Sequence, residues 1–325
     1  MRYLLNKRFV LLIICLCTFF FVGCKNSSDA TSAKDDLAKS LGVTKEKDTS
    51  SLPLRDNTPK VLRPEASGLL VYGNDLITID ASHISQGYFM ANYKGDNPKV
   101  RLRITTPDDI TYTFAIENNG QFDTFPLPDG NGSYKVTLFE NLNGDEYVIS
   151  FVQDLSVSLE NEFLPFLYPN QYVNFSSDSK AIAKSSTLLK GVKTDLEAVA
   201  SVYKYITSTI KYDDDKAANV SFGYTPNVDE TLATKKGICF DYASLMTAML
   251  RSQNIPTKLG VGYAGEVYHA WISVYITDIG WINNMIKFDG KEWKLMDPTF
   301  AANSDNDALK DFIGKGDNYI LKYTY

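Results

Sequence analysis

The distribution of cysteines limits how this chain can stabilise a fold. Of its 325 residues only four are cysteines, and Cys15, Cys17 and Cys24 all lie within the first 24 positions. Cys239 is the only cysteine in the remaining 301 residues (325 − 24), so no disulfide framework can form there. Hydrophobic residues make up 44% of the chain, which is typical of a globular protein that folds around apolar cores.

The first 23 residues are typical of a signal peptide. Three basic residues precede an apolar run over residues 9–22, which is too short to span a membrane comfortably. The run ends at Cys24 and resembles a bacterial lipobox, although Phe21 stands where that motif usually has leucine. The resemblance implies a lipidated Cys24 and an anchor on the extracytoplasmic face of the bacterial cell membrane. Ordinary secretion is the alternative.

The charge balance excludes some classes of partner. The formal net charge is −6 and the chain has no long basic run, which argues against a nucleic acid partner. The chain has only two histidines and shows no metal-ligand spacing, so we expect neither a metal nor another cofactor.

Composition and periodicity divide the chain into four segments. After the signal peptide at 1–23, residues 24–65 are polar, which predicts a disordered tether. In residues 66–160, apolar and polar residues alternate between turns that contain Gly and Asn, which predicts an all-β, Ig-like sandwich domain. Residues 161–325 form the last predicted domain.

The last segment combines helical and strand patterns. Apolar residues at helical spacing predict one helix over Asp195–Ile210 and a second from Cys239 to just before Asn254, with a polar loop ending near Asp229 between them. A hairpin turn at Asp289-Gly290 separates the last two of four predicted strands: 258–263, 269–276, 285–288 and 294–297. Helices followed by an antiparallel sheet place this segment in the α+β class.

Cys239 lies where the sequence favours a reactive thiol. It follows Gly237, which is expected to allow a tight turn, and it begins a predicted helix whose first N–H groups favour negative charge. Lys235 and Lys236 add positive potential, so we expect a lowered thiol pKa and a nucleophilic thiolate. If the signal peptide is removed and Cys24 is lipidated, this is the only free thiol of an exported protein. The alternative is a small buried side chain without chemistry.

Two further residues have the spacing of catalytic partners. His269 lies 30 residues after Cys239 at the start of a predicted strand, and Asp297 ends another predicted strand 28 residues later. A histidine facing the helix start could hold the thiolate and later donate a proton. An aspartate at the second ring nitrogen could orient the imidazole.

Three short segments around these residues resemble the signature blocks of the transglutaminase-like superfamily. They are Lys236-Gly237-Ile238-Cys239, His269-Ala270-Trp271 and Asp297-Pro298-Thr299. Their order along the chain matches the family, and the resemblance extends from about Asp195 to Ala302, roughly a third of the chain.

The resemblance implies a papain-like fold, in which N-terminal helices pack on an antiparallel sheet. It implies that Cys239 is the nucleophile, His269 the base and Asp297 the orienting residue. The donor to the oxyanion is less clear: the backbone N–H of Cys239 is a natural candidate, and the hydroxyls of Tyr212 and Tyr224 are weaker ones.

We therefore expect thiol-dependent acyl chemistry on amides, most simply hydrolysis of peptide bonds in extracellular proteins or cell-wall peptides. Cross-linking of glutamine to lysine is an alternative, because the same triad serves both reactions. A non-catalytic module that binds a cell wall or a protein is another. The predicted β-sandwich could also recruit the substrate of the enzyme.

Overall fold

A computed structural model describes residues 51–221, 223–264, 266–277, 279–288, 293–295 and 319–325. Strands dominate the β-rich region, residues 66–160, whereas helices followed by strands form the C-terminal region, residues 161–325. The α+β class predicted from the sequence is therefore confirmed. Among the described helices, none has the length and hydrophobicity needed to cross a bilayer.

The first eight strands form two antiparallel sheets of four strands each. One sheet has the order β1-β2-β3-β6, from β1 (Val71–Gly73), β2 (Ile77–Asp80), β3 (Tyr88–Tyr93) and β6 (Asp123–Pro126). The other has the order β5-β4-β7-β8, from β4 (Val100–Thr105), β5 (Thr111–Ala115), β7 (Gly132–Asn143) and β8 (Glu146–Val157).

Both sheets contribute buried side chains to a common hydrophobic core. Along β4, Val100, Leu102 and Ile104 are buried and the residues between them are more exposed, as the alternation in the sequence predicts. The rings of Phe114 and Phe125, one from each sheet, meet edge to face with centroids 5.1 Å apart. That these strands form an independent Ig-like domain stays a prediction.

Five α-helices lie within the described part of the C-terminal region. They are α1 (Lys180–Leu188), α2 (Asp195–Thr209), α3 (Asp214–Asn219), α4 (Val228–Thr234) and α5 (Cys239–Arg251). The predicted helices correspond to α2 and α5. The predicted polar loop before Asp229 is wrong in part, because α3 lies within it. Its N-cap gives the physical reason: the Asp213 side chain accepts a hydrogen bond from Lys216 N at 3.0 Å.

An antiparallel sheet of five strands follows the helices. Its order is β14-β13-β12-β11-β15, from β11 (Thr257–Ala264), β12 (Val267–Ile276), β13 (Gly280–Phe288), β14 (Trp293–Leu295) and β15 (Tyr319–Thr324). The strand β15 was not predicted, and the predicted turn at Asp289-Gly290 lies outside the described residues. A short parallel pair, β9 (Lys211–Tyr212) and β10 (Lys236–Gly237), links the end of α2 to the start of α5.

The buried guanidinium of Arg251 ties three parts of the C-terminal region together. It donates to the backbone oxygens of Tyr168 at 2.6 Å, Tyr325 at 2.7 Å and Thr257 at 3.0 Å. Arg251 has no exposed surface, so each of these bonds replaces water that the burial removes. The end of α5 is thereby fixed to the connector before α1, to β11 and to the end of β15.

The β-rich and C-terminal regions share one continuous hydrophobic core. The Phe114 ring lies 5.5 Å from the ring of Tyr172 and 5.8 Å from that of Tyr325, centroid to centroid. Thr324 N also donates to the Tyr112 hydroxyl at 3.2 Å. The strand β5 is therefore packed against the C-terminal region, and this contact places β-rich residues near the site described below.

The predicted disordered tether at 24–65 is wrong for its last part. Arg55 Nε lies 2.7 Å from Asp195 Oδ1, and Lys60 N donates to Ser252 O at 2.7 Å. These bonds hold the segment on the C-terminal region, whereas the composition alone indicated no packing. The rest of the predicted tether, and the predicted signal peptide, lie outside the described residues.

Candidate active site

A cleft with a volume of about 590 Å³ lies between the β-rich region and the C-terminal region. Its walls include four of the residues singled out from the sequence: Cys239, His269, Tyr212 and Tyr224. Residues that are far apart in the chain thus meet in one concave space, which is the usual setting of a small-molecule or peptide site.

Cys239 is the first residue of α5 and is partly exposed towards the cleft. The backbone N–H groups of Ala270 on β12 and of Phe240 favour the thiolate form of the sulfur. Ala270 follows His269 directly, and α5 packs on β12, so the start of the helix lies against the strand that bears the histidine.

Burial raises the pKa of the Cys239 thiol, and the backbone N–H groups of Ala270 and Phe240 offset this only in part. The direction is opposite to the lowered pKa expected from the sequence. Removal of the thiolate from water outweighs the favourable position at the helix start. Lys235 and Lys236 are exposed and do not line the cleft, so their charges act mainly through solvent.

His269 lies on β12 and is largely buried, with 6% of its surface exposed. It is paired across the sheet with Gly262 on β11. A Cβ placed on Gly262 would lie 2.0 Å from the backbone oxygen of Ile320, so glycine is needed here for β15 to pair with β11. The close approach therefore places β15 on the side of β11 that is away from the strand bearing the histidine.

Asp297, the third residue of the predicted triad, lies outside the described residues. Its role as the residue that orients His269 therefore stays a prediction.

Tyr212 and Tyr224 reach the cleft in different ways. Tyr212 on β9 pairs with Gly237 on β10, two residues before Cys239, and burial raises the pKa of its hydroxyl. The Tyr224 hydroxyl donates to Asp241 Oδ1 and accepts from Lys216 Nζ at 2.5 Å. Because its hydrogen is engaged with Asp241, Tyr224 is the poorer of the two candidate donors to an oxyanion.

Asp241, for which the sequence alone predicted no role, organises the start of α5. Its side chain is fully buried, and Oδ2 accepts from Ile238 N at 2.8 Å and lies 2.9 Å from Lys216 Nζ. One sequence signal could have predicted this role: Asp241 lies three positions after the N-cap residue, where an acidic side chain can accept a hydrogen bond from the N-cap N–H. Together with Tyr224 and Lys216 it forms a group that we call the Asp241 cluster.

Gly237 serves the Asp241 cluster by its small size. A Cβ on Gly237 would lie 2.6 Å from the Cβ of Asp241, far inside the normal contact distance. The predicted reason for glycine here, a tight turn, is wrong: the φ of Gly237 is not in the left-handed region, and the requirement is space for Asp241.

Comparison with known proteins identifies the domain that holds this site. The family model of the transglutaminase-like superfamily matches residues 182–298. The chain therefore contains a transglutaminase-like domain, as its signature segments predict. A curated relative, the UPF0252 protein MJ1282 of Methanocaldococcus jannaschii, is 32% identical over 170 residues. This match covers 46% of the present chain and 47% of the relative, so the chain spans about half of that protein's length.

Three solved structures are similar at low sequence identity. A protein from Cytophaga hutchinsonii, provisionally named a cysteine protease, is 13% identical with a TM-score of 0.35; the match covers 73% of this chain and 83% of that one. A provisionally named protease from Parabacteroides distasonis is 12% identical with a TM-score of 0.27, covering 65% and 58%. Red sea bream transglutaminase is 12% identical with a TM-score of 0.25, covering 70% and 53%.

The Asp241 cluster predicts a role for the Tyr224 hydroxyl in stability. We expect Tyr224→Phe to lower the free energy of unfolding by about 1.5–3 kcal/mol, because a buried carboxylate loses a hydrogen-bond donor. Urea denaturation measures this change. Tyr72→Phe on β1 is the matched control and is expected to be neutral. Equal stability of the two variants would show that the hydroxyl contributes nothing to the cluster.

The raised pKa of Cys239 predicts a slow thiol at neutral pH. A thiol reacts as the thiolate, and a raised pKa keeps the proton on sulfur until a higher pH is reached. We expect the rate of iodoacetamide alkylation of the folded protein to rise with a midpoint above the usual value of about 8.5. The urea-unfolded protein should titrate near that value. A folded midpoint below the unfolded one would contradict the prediction, with Cys239→Ser as the blank.

Proposed function

We propose that this protein is a thiol-dependent hydrolase of amide or peptide bonds. The observation that carries the proposal is that Cys239 and His269 line one cleft, from the packed elements α5 and β12. The transglutaminase-like domain supports an enzyme of this kind.

The proposed reaction begins with a neutral thiol. As the Cys239 sulfur attacks the amide carbonyl, His269 accepts the thiol proton, and the carbonyl oxygen becomes an oxyanion. The backbone N–H of Cys239 lies in the first turn of α5, where helical N–H groups lack intrahelical partners, and is the proposed oxyanion donor, with Tyr212 as a second candidate. His269 then protonates the leaving amine, which departs and leaves an acyl thioester on sulfur.

Water completes the proposed cycle. His269 removes a proton from a water molecule, whose oxygen attacks the thioester and releases the carboxylic acid and the free thiol. Asp297 would accept a hydrogen bond from the second ring nitrogen of His269 and so keep the first nitrogen facing the thiol.

The triad is tested by substitution and by trapping the intermediate. On a peptide library, Cys239→Ala and His269→Ala are expected to lower kcat/KM by about 10³-fold or more, and Asp297→Asn by about 10²-fold or more. The controls are His83→Ala, which changes the only other histidine, and Asp145→Asn, whose carboxylate is fully exposed. Activity that survives in Cys239→Ala would overturn the proposal.

The same assay separates hydrolysis from the other candidate functions. In ¹⁸O-water, hydrolysis places the label in the new carboxylate, whereas cross-linking incorporates a fluorescent primary amine such as dansylcadaverine at glutamine. Mass spectrometry of the intact protein detects the acyl thioester in either case. A protein that binds peptides but never forms the thioester would be a binding module.

We also propose that the protein is a lipoprotein on the extracytoplasmic face of the bacterial cell membrane, which the lipobox-like segment ending at Cys24 supports. Expressed in bacteria with radiolabelled palmitate, the chain should acquire label and sediment with membranes. Cys24→Ala should remove the label, and Cys17→Ala, inside the apolar run, should not. Label that persists in Cys24→Ala would disprove the anchor.

A further inference from the structure

One wall of the cleft comes from the β-rich region. Thr113 and Ala115 on β5 line this wall together with Arg101 on β4, the residue that pairs with Ala115 across the two strands. Gln171 Nε2 donates to Ala115 O at 2.8 Å, and a Cβ placed on Gly223 would lie 3.7 Å from the Ala115 Cβ. These contacts hold the β5 wall against the domain that bears Cys239, so a substrate at the thiol also faces the β-rich region.

The described lining of the cleft differs in charge from the chain as a whole. The chain has a net charge of −6, yet the described residues that line the cleft include no aspartate or glutamate, and Arg101 is their only lysine or arginine. Aromatic rings form much of the remaining wall. Apolar walls weaken the screening by water, so the field of Arg101 acts more strongly here than on an open surface.

The guanidinium of Arg101 stacks on an aromatic ring. Arg103 on the same strand does so too and serves as the comparison. The Arg101 guanidinium carbon lies 4.3 Å from the ring centre of Tyr147. Arg103, two residues along the same strand, lies 4.7 Å from the ring centre of Phe139 and is exposed. Both side chains stack on a ring, but Arg103 does not line the cleft.

We propose that Arg101 makes the β-rich wall a subsite for anions, so that the enzyme selects amides in peptides that carry a carboxylate near the scissile bond. The inference rests on the proposed hydrolase function and specifies its substrate class. The same field disfavours protonated lysine amines near the thiol, which favours water as the acyl acceptor. The β-rich region thereby becomes part of the substrate site.

Matched peptides test the subsite. Three series are identical except for Glu, Gln or Lys at positions flanking the scissile amide. We expect the wild-type protein to prefer Glu over Lys by about tenfold in kcat/KM, since unlike charges in a poorly screened cleft attract and like charges repel. Arg101→Gln should remove most of this preference and Arg101→Glu should reverse it, whereas Arg103→Gln should keep it. A preference unchanged in Arg101→Gln, or lost equally in Arg103→Gln, would overturn the subsite.

A second measurement needs no turnover and separates the two proposals. The ratio of Cys239 alkylation rates by anionic iodoacetate and by neutral iodoacetamide reports the charge near the thiol. Arg101→Gln should lower this ratio by about threefold at low salt, with a smaller effect at high salt, and Arg103→Gln should not. A shifted ratio without peptide cleavage would support the anion subsite and count against the hydrolase. Peptide cleavage with the same alkylation ratio in Arg101→Gln and no preference for Glu over Lys would support the hydrolase and count against the anion subsite.

Discussion

The buried carboxylate of Asp241 is the interaction on which the cleft depends. A carboxylate without exposed surface is costly unless donors surround it, and here Ile238 N, Tyr224 and Lys216 provide them. Ile238 N belongs to the cap of α5, whereas the other two donors belong to a segment that also lines the cleft. One charge therefore joins the helix that begins at Cys239 to a second part of the cleft lining.

A second buried charge, at the C-terminal end of α5, holds a residue that lines the cleft. Arg251 at the far end of α5 binds backbone oxygens of the connector, of β11 and of Tyr325. Tyr323 and Tyr325 line the cleft, and Tyr325 also packs on Phe114 of β5. The helix α5 is thus held at its start by a buried anion and at its end by a buried cation. The β-rich wall joins the same assembly through aromatic contacts, so the cleft is formed by both regions.

The sequence predicted the local parts of this site well. Helical spacing in α2 and α5 and alternation in β11 and β12 are repeated signals, and they placed Cys239 at a helix start and His269 on a strand. The short helices α3 and α4 were missed because six or seven residues give too little periodicity, although their N-caps were readable. The strand β15 and the Asp241 cluster depend on pairing between distant segments, which one sequence does not display. Asp297 stays a prediction, since it lies outside the described residues.

The direction of the Cys239 pKa shows why position in a motif does not determine reactivity. A helix start lowers a thiol pKa through partial charges, whereas burial removes the hydration of a full charge, and here burial is the larger effect. A neutral thiol is also less easily oxidised, because oxidation proceeds through the thiolate. In the proposed mechanism, the nucleophile would form only when His269 takes the proton during attack. The cleft would then protect the thiol at rest, and a bound amide would provide the electrophile that makes the proton transfer productive.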